Sequence, residues 1–200
     1  MKAAIVLKSP NEIAKISEDF VIAADAGYIA AIKQNKKIDI AIGDFDSSKI
    51  PDELEIVKLN VEKDVTDGEA ALDLAIEKGF KDITIYGLGG GKVDHILCNL
   101  ALLARGYKKG VNVIAKEPDC TIYYKGAGKF SFNTRKGLDF SIIAFGDNAV
   151  VSNGVGCKYK IDNTELSLNN LGQGISNRAE DELVSFDILK GSVLVFAYNK

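Results

Sequence analysis

"IDIAIGDFDSS", residues 38–48, joins an apolar run to a carboxylate-rich end. Its first seven residues are continuous and apolar enough to be buried on both faces, as strands of parallel sheets are. The strand then stops at Asp44 and Asp46, a serine pair follows, and Pro51 comes soon after. Asp and Ser side chains satisfy neighbouring backbone groups, so a polar turn is one account of these residues. The other is a metal or phosphate site, because open α/β sheets bind ligands at the C-terminal edge of their strands. If the chain stays extended, Asp44 and Asp46 point to the same side. Two unpaired carboxylates there repel one another, and an all-oxygen site suits Mg²⁺.

Short β-type runs alternate with helical patterns on both sides of that stretch. "KAAIVLK" (2–8) reads as a strand, "PNEIAKISED" (10–19) as a helix, "FVIAAD" (20–25) as a strand and "YIAAIKQN" (28–35) as a helix. "LEIVKLN" (54–60) is a weaker strand, and "TDGEAALDLAIEKG" (66–79) has apolar residues at 70, 71, 74 and 75, the helical spacing. "DITIYG" (82–87), "VDHILCNLALLARG" (93–106) and "VNVIAKE" (111–117) continue as strand, helix and strand. This alternation predicts an α/β N-terminal domain with a mostly parallel sheet flanked by helices. After Pro118 the pattern becomes short, partly alternating runs punctuated by Gly, Asn and Asp, from "CTIYYKG" and "GKFSFNT" through "CKYKID" to "DELVSFDILKG" and "SVLVFAYN". That pattern predicts an all-β C-terminal domain of the sandwich type. The expected domains are residues 1–118 and 119–200.

Composition narrows the class. The 200 residues carry 46% hydrophobic and 26% charged side chains, as an ordinary globular protein does. The net charge of −3, with no basic stripe, argues against nucleic acid as a partner. Cys98, Cys120 and Cys157 are three, far apart and without a C-x-x-C pair, which fits neither a disulfide framework nor a zinc site. The apolar run "AAIVL" is too short for a membrane span. A soluble, cytoplasmic protein is expected.

Two more polar clusters follow expected strands. In "KDVTDGEAAL" (63–72), Thr66-x-x-Glu69 is a capping box and Asp67 suits the positive end of the helix; Lys63 and Asp64 are left unexplained by capping. "GLGGGKVDH" (87–95) runs from a strand into a helix, where glycines allow close approach to phosphate and the helix start offers free N–H groups. It lacks the G-K-[ST] ending of a Walker A loop, and Lys92 breaks a G-x-G-x-x-G register. Asp94 reads as a possible N-cap and the lone His95 as a structural histidine. Taken together, acidic residues for Mg²⁺ with glycines and lysine for phosphate are the parts phosphoryl-type transfer needs.

These stretches resemble the thiamine pyrophosphokinase family. The similarity lies in "ADAG" (24–27), "GDFDS" (43–47), "KD-x-TD-x-E-x-AL" (63–72) and "GLGGGKVDHILCNL" (87–100), then in "GCKYKI" (156–161) and "GISN" (174–177). The resemblance implies transfer of the pyrophosphoryl group of ATP to the hydroxyl of thiamine, giving thiamine diphosphate and AMP. It also implies a homodimer, with thiamine between the α/β domain of one subunit and the sandwich of the other. By matching position it makes Asp44, Asp46 and Asp67 the Mg²⁺ ligands, with Asp64 and Asp94 close by in the same candidate catalytic cluster. Asp25, Gly89, Gly90, Gly91, Lys92 and Asn99 fall on the nucleotide side, and Thr66, Ser176 and Asn177 on the substrate side. Asp67 or Asp94 is the candidate base for the alcohol's proton. This chain has Lys92 where the family usually has arginine, Ala26 where glycine is common, and no tryptophan to stack on a thiamine ring. A pyrophosphokinase for another alcohol, such as a hydroxymethylpterin, and a non-catalytic nucleotide or thiamine-phosphate sensor are the alternative readings.

Overall fold

A computed structural model describes residues 2–45, 55–59, 64–170 and 172–200. The chain divides into two compact units, Met1–Pro118 and Asp119–Lys200. In the first, β1 (Lys2–Val6), β2 (Phe20–Ala24), β3 (Ile40–Gly43), β4 (Ile56–Lys58), β5 (Asp82–Tyr86) and β6 (Asn112–Lys116) pair in the order β6-β5-β1-β2-β3-β4. Every one of these pairings is parallel. The helices are α1 (Tyr28–Lys33), α2 (Asp67–Glu77) and α3 (Val93–Lys108). Alternation sends Ala4, Val6, Val21 and Ala23 to one face, where they pack with Tyr28 and Ala31 of α1 and with Ile13 and Ile16. α2 packs against β1, β2 and β3, and α3 against β6. α2 starts as the sequence spacing predicts: Thr66 Oγ1 accepts from Glu69 N, and Glu69 Oε2 accepts from Thr66 N.

The strand order creates one special place. The chain leaves β1 toward β2 on one side, but leaves β5 toward β6 on the other. β1 and β5 are neighbours, so their C-terminal ends flank a topological switch point, where open sheets of this kind leave a crevice.

The expected helix at 10–19 does not form; the segment is irregular. Its Ile13 and Ile16 are buried, and its backbone finds partners outside itself. Gln34 Oε1 accepts from Ile16 N, and Gln34 Nε2 donates to the carbonyls of Ile13 and Ala14. Side chains from elsewhere thus take the place of the helical ladder.

The second unit contains β7 (Cys120–Asn133), β8 (Asp139–Ala144), β9 (Ala149–Val155), β10 (Thr164–Leu166), β11 (Asn177–Arg178) and β12 (Leu183–Tyr198). Within it the pairings are antiparallel: β12 pairs with β7, β8 and β9, β10 with β9, and β11 with β8. Phe132, Phe140 and Phe186 sit in its core with Val184, Val193 and Val195. The runs expected as two strands around Gly126–Gly128 are one continuous β7, and those around Gly191 are one β12 with a register shift between Ile188 and Ser192. "CKYKID" contributes only a bridge at Cys157. Over all its strands the chain is therefore mixed rather than mostly parallel; parallel pairing belongs to the first unit.

Candidate active site

A cleft of about 1170 Å³ opens at the switch point. Leu7 and Lys8 enter it from the end of β1, Asp25 from the end of β2, and Thr66 and Asp67 from the start of α2. The β5–α3 connection adds Leu88, Gly91, Lys92, Asp94, His95 and Asn99. Residues 9–13 and α1 form a further wall. Seven residues expected from the sequence thus meet in one cleft: Asp25, Thr66, Asp67, Gly91, Lys92, Asp94 and Asn99. Asp44, Asp64, Gly89 and Gly90 are described but do not line it. Asp46 lies outside the described residues, as does Lys63.

Asp25 has the most unusual surroundings. It follows β2 in a left-handed conformation, φ 47°, which few non-glycine residues adopt. Two glycines make room for that turn: a Cβ on Gly27 would collide with the Val6 carbonyl, and one on Gly43 would lie 3.2 Å from Asp25 Cα. Asp25 Oδ2 lies 3.2 Å from Lys8 Nζ. Its other oxygen, Oδ1, is buried without a hydrogen-bond partner among the described residues. A buried carboxylate oxygen left bare is costly, and it is the kind of donor a hard cation takes. Among the described residues no three His, Cys, Asp or Glu side chains converge into a complete cation site.

The glycine connection is fastened from several directions. Glu117 Oε1, just beyond β6, accepts from the N–H groups of Leu88 (2.9 Å) and Gly89 (3.2 Å). Asn99 Nδ2 donates to the Leu88 carbonyl at 3.2 Å, and Ser9 Oγ to the Gly89 carbonyl at 3.0 Å. Gly90 takes φ 84° against the Asn11 side chain. α3 begins with Lys92 as N-cap, so Asp94 is not the cap; it lies in the first turn and accepts from His95 N.

In the segment between β1 and β2, Glu18 is buried and accepts from Thr84 Oγ1 and Tyr86 Oη, both at 2.7 Å. Burial raises its pKa, but the hydrogen bonds outweigh burial and leave it below the ordinary value. Burial and the Glu18 charge push the Tyr86 hydroxyl up to about 12.

In the second unit Asn177 is buried and bonds the backbone of Tyr159 in both directions, Oδ1 accepting from its N–H and Nδ2 donating to its carbonyl, each at 2.9 Å. Its amide is therefore engaged internally. Tyr159 itself is 57% exposed. Ser176 is left-handed, φ 56°, with its N–H on Ser141 Oγ. The next residue, Arg178, pairs with Asp139 at 2.8 Å. Sequence reading passed over Lys8, Lys33, the 9–13 wall, Glu117 and Tyr159. Lys8 and Glu117 each stand just past a strand that ends at this edge, which is the one signal that marks them.

The family model described as thiamin pyrophosphokinase, catalytic domain, matches residues 14–115, just over half the chain. Thiamine pyrophosphokinase of Bacillus subtilis (strain 168) is 29% identical over 163 residues, 78% of this chain and 76% of that protein. A crystal structure of thiamine pyrophosphokinase from Bacillus subtilis superposes with a TM-score of 0.87 at 26% identity, covering 100% of both chains. One from Geobacillus thermodenitrificans, at TM-score 0.84 and 24% identity over 100% of this chain and 98% of that one, shares the fold. Fold and family match define the class, an α/β enzyme unit with a cleft at its switch point, accompanied by an all-β unit. The chain belongs to the thiamin pyrophosphokinase family.

Proposed function

We propose that this chain is a thiamine pyrophosphokinase, an ATP-dependent diphosphotransferase that moves the pyrophosphoryl group of ATP to the hydroxyl of thiamine and releases AMP. The observation that carries this reading is the catalytic-domain match over residues 14–115, a span that contains most of the cleft apart from the wall at residues 7–13. The cleft's chemistry agrees with it. Lys8, Lys33 and Lys92 offer cations to a polyphosphate, and Gly91 permits close backbone approach. Lys92 supplies charge without the bidentate fork of an arginine. Asp67 and Asp94 stand in the same cleft as candidate acceptors for the alcohol's proton.

Asp25, Asp44, Asp46 and Asp67 are the residues we assign to Mg²⁺. Mg²⁺ is commonly held by one or two carboxylates with phosphates completing the shell, so bound ATP would supply the remaining oxygens. Held by these residues, such an ion would supply positive charge to neutralise the phosphates. The chain's own residues orient the two substrates in line. In the second unit, read as a sandwich-type thiamine-binding and dimerisation domain, Ser176 is the residue we assign to thiamine, with exposed Tyr159 as an aromatic surface beside it and Asn177 acting through its hold on the Tyr159 backbone. We further take the enzyme to be a cytoplasmic homodimer; no helix among the described residues is long and apolar enough to cross a membrane.

The test is incubation with ATP, Mg²⁺ and thiamine while following AMP and thiamine diphosphate. Equal appearance of both is expected. AMP release that needs a hydroxymethylpterin instead, or no turnover with any alcohol, overturns the reading.

A further inference from the structure

A glycine-rich strand-to-helix connection normally offers its N–H groups to a phosphate. Here two of those groups already have an anion: Glu117 Oε1 lies 2.9 Å from Leu88 N and 3.2 Å from Gly89 N. The carbonyls of the same two residues are held by Asn99 and Ser9. Both polar groups of Leu88 and of Gly89 are thus engaged by side chains from α3, from the segment after β1 and from the end of β6. Leu88, Gly91 and Lys92 line the cleft, while Gly89 and Gly90 do not.

We propose that Glu117 is a positioning residue for the nucleotide side of the cleft. Its carboxylate stands in for a phosphate at the first half of the glycine connection and fixes that half. The triphosphate of ATP then meets Gly91, Lys92 and the lysines of the cleft rather than the Leu88 and Gly89 amides. A fixed turn needs no reordering when ATP binds, which is the source of the affinity it contributes. The proposal rests on the pyrophosphokinase reading.

The experiment compares wild type with Glu117→Ala and Glu117→Gln in steady-state turnover of ATP and thiamine with Mg²⁺. Glu117→Ala leaves two amides without their charged acceptor and is expected to raise KM for ATP about tenfold or more, with KM for thiamine within about twofold. Glutamine keeps a carbonyl acceptor, so Glu117→Gln is expected to recover most of that loss. An unchanged KM for ATP in Glu117→Ala, an equal rise for both substrates, or a glutamine variant as impaired as alanine overturns the proposal. Hydrogen exchange at Leu88 and Gly89 supplies a readout free of turnover: faster exchange at these two amides in Glu117→Ala supports the clamp, and unchanged exchange overturns it. If the wild type turns over no ATP, the functional reading fails while the exchange result still decides the clamp.

Discussion

Arg105 on α3 grips the Asp73 carboxylate on α2 with two nitrogens, Nη2 at 2.7 Å from Oδ2 and Nε at 3.1 Å from Oδ1. Lys109 Nζ adds a third contact to Asp73 at 2.7 Å. The two helices that bring Asp67 and Asp94 to the cleft are therefore tied together on their outer side. The hydrogen bond from Arg105 holds the Asp73 carboxyl below its ordinary 3.8, with burial opposing it. A depressed carboxyl contributes stability in full above 3.8 and loses it as pH falls through the lower folded value. Asp73→Asn should cost about 1 kcal/mol at neutral pH, since the pair is about a third exposed and partly screened. Urea titrations of both proteins at neutral and acid pH should show that gap narrowing below 3.8.

The Glu18 site makes a second pH prediction, with a limb at each end of the scale. Glu18→Gln should lower the melting temperature at neutral pH by an amount corresponding to about 2 kcal/mol, because Thr84 and Tyr86 lose a charged acceptor. The carboxyl is depressed, so the difference from wild type shrinks below the ordinary 4.5. Tyr86 acts in the opposite direction. Its raised value stabilises in full below the ordinary 10.0 and is lost as pH rises toward about 12. Tyr86→Phe should therefore lack part of the alkaline sensitivity that wild type shows in circular-dichroism melts above pH 10.0.

Asp25→Asn should separate activity from stability. Asparagine removes the charge of a carboxylate whose buried oxygen has no partner, so the melting temperature should stay level or rise despite the lost contact with Lys8. AMP release should fall by about a hundredfold or more if this carboxylate serves the reacting phosphates. A variant with full turnover would remove Asp25 from the site.

Gly106 predicts a packing defect far from the cleft. A Cβ there would collide with the Val113 side chain, where α3 crosses β6. Gly106→Ala should destabilise by about 1–3 kcal/mol although alanine favours helices, because an overpacked contact outweighs propensity. Denaturant unfolding checks this, and the double variant with Val113→Ala should recover part of the loss.

What could be read from the sequence depended on how local the cause was. The start of α2 was legible because Thr66 and Glu69 satisfy each other across three residues. The sheet edge was legible too, since strand ends recur where Asp25, Asp67 and Lys92 stand. The segment 10–19 was not, because the groups that replace its helical bonds come from Gln34 and Tyr86, distant in sequence. Gly128 and Gly191, with φ of 136° and 75°, looked like turns, yet the chain carries them inside long strands. Lys8 and Glu117 went unread for a related reason: each gains its role only from a neighbouring element that the topology brings beside it.

β12 has a consequence for how the molecule is made. It is the shared partner of β7, β8 and β9, and it is the last of those strands to be synthesised. The six strands of the first unit can all find their neighbours once residue 116 has left the ribosome. In the second unit, three strands must wait for residues 183–198 before this ladder can close. Strand order thus allows the first unit and its cleft to take shape during translation, while the all-β unit can close this ladder only after residues 183–198 emerge.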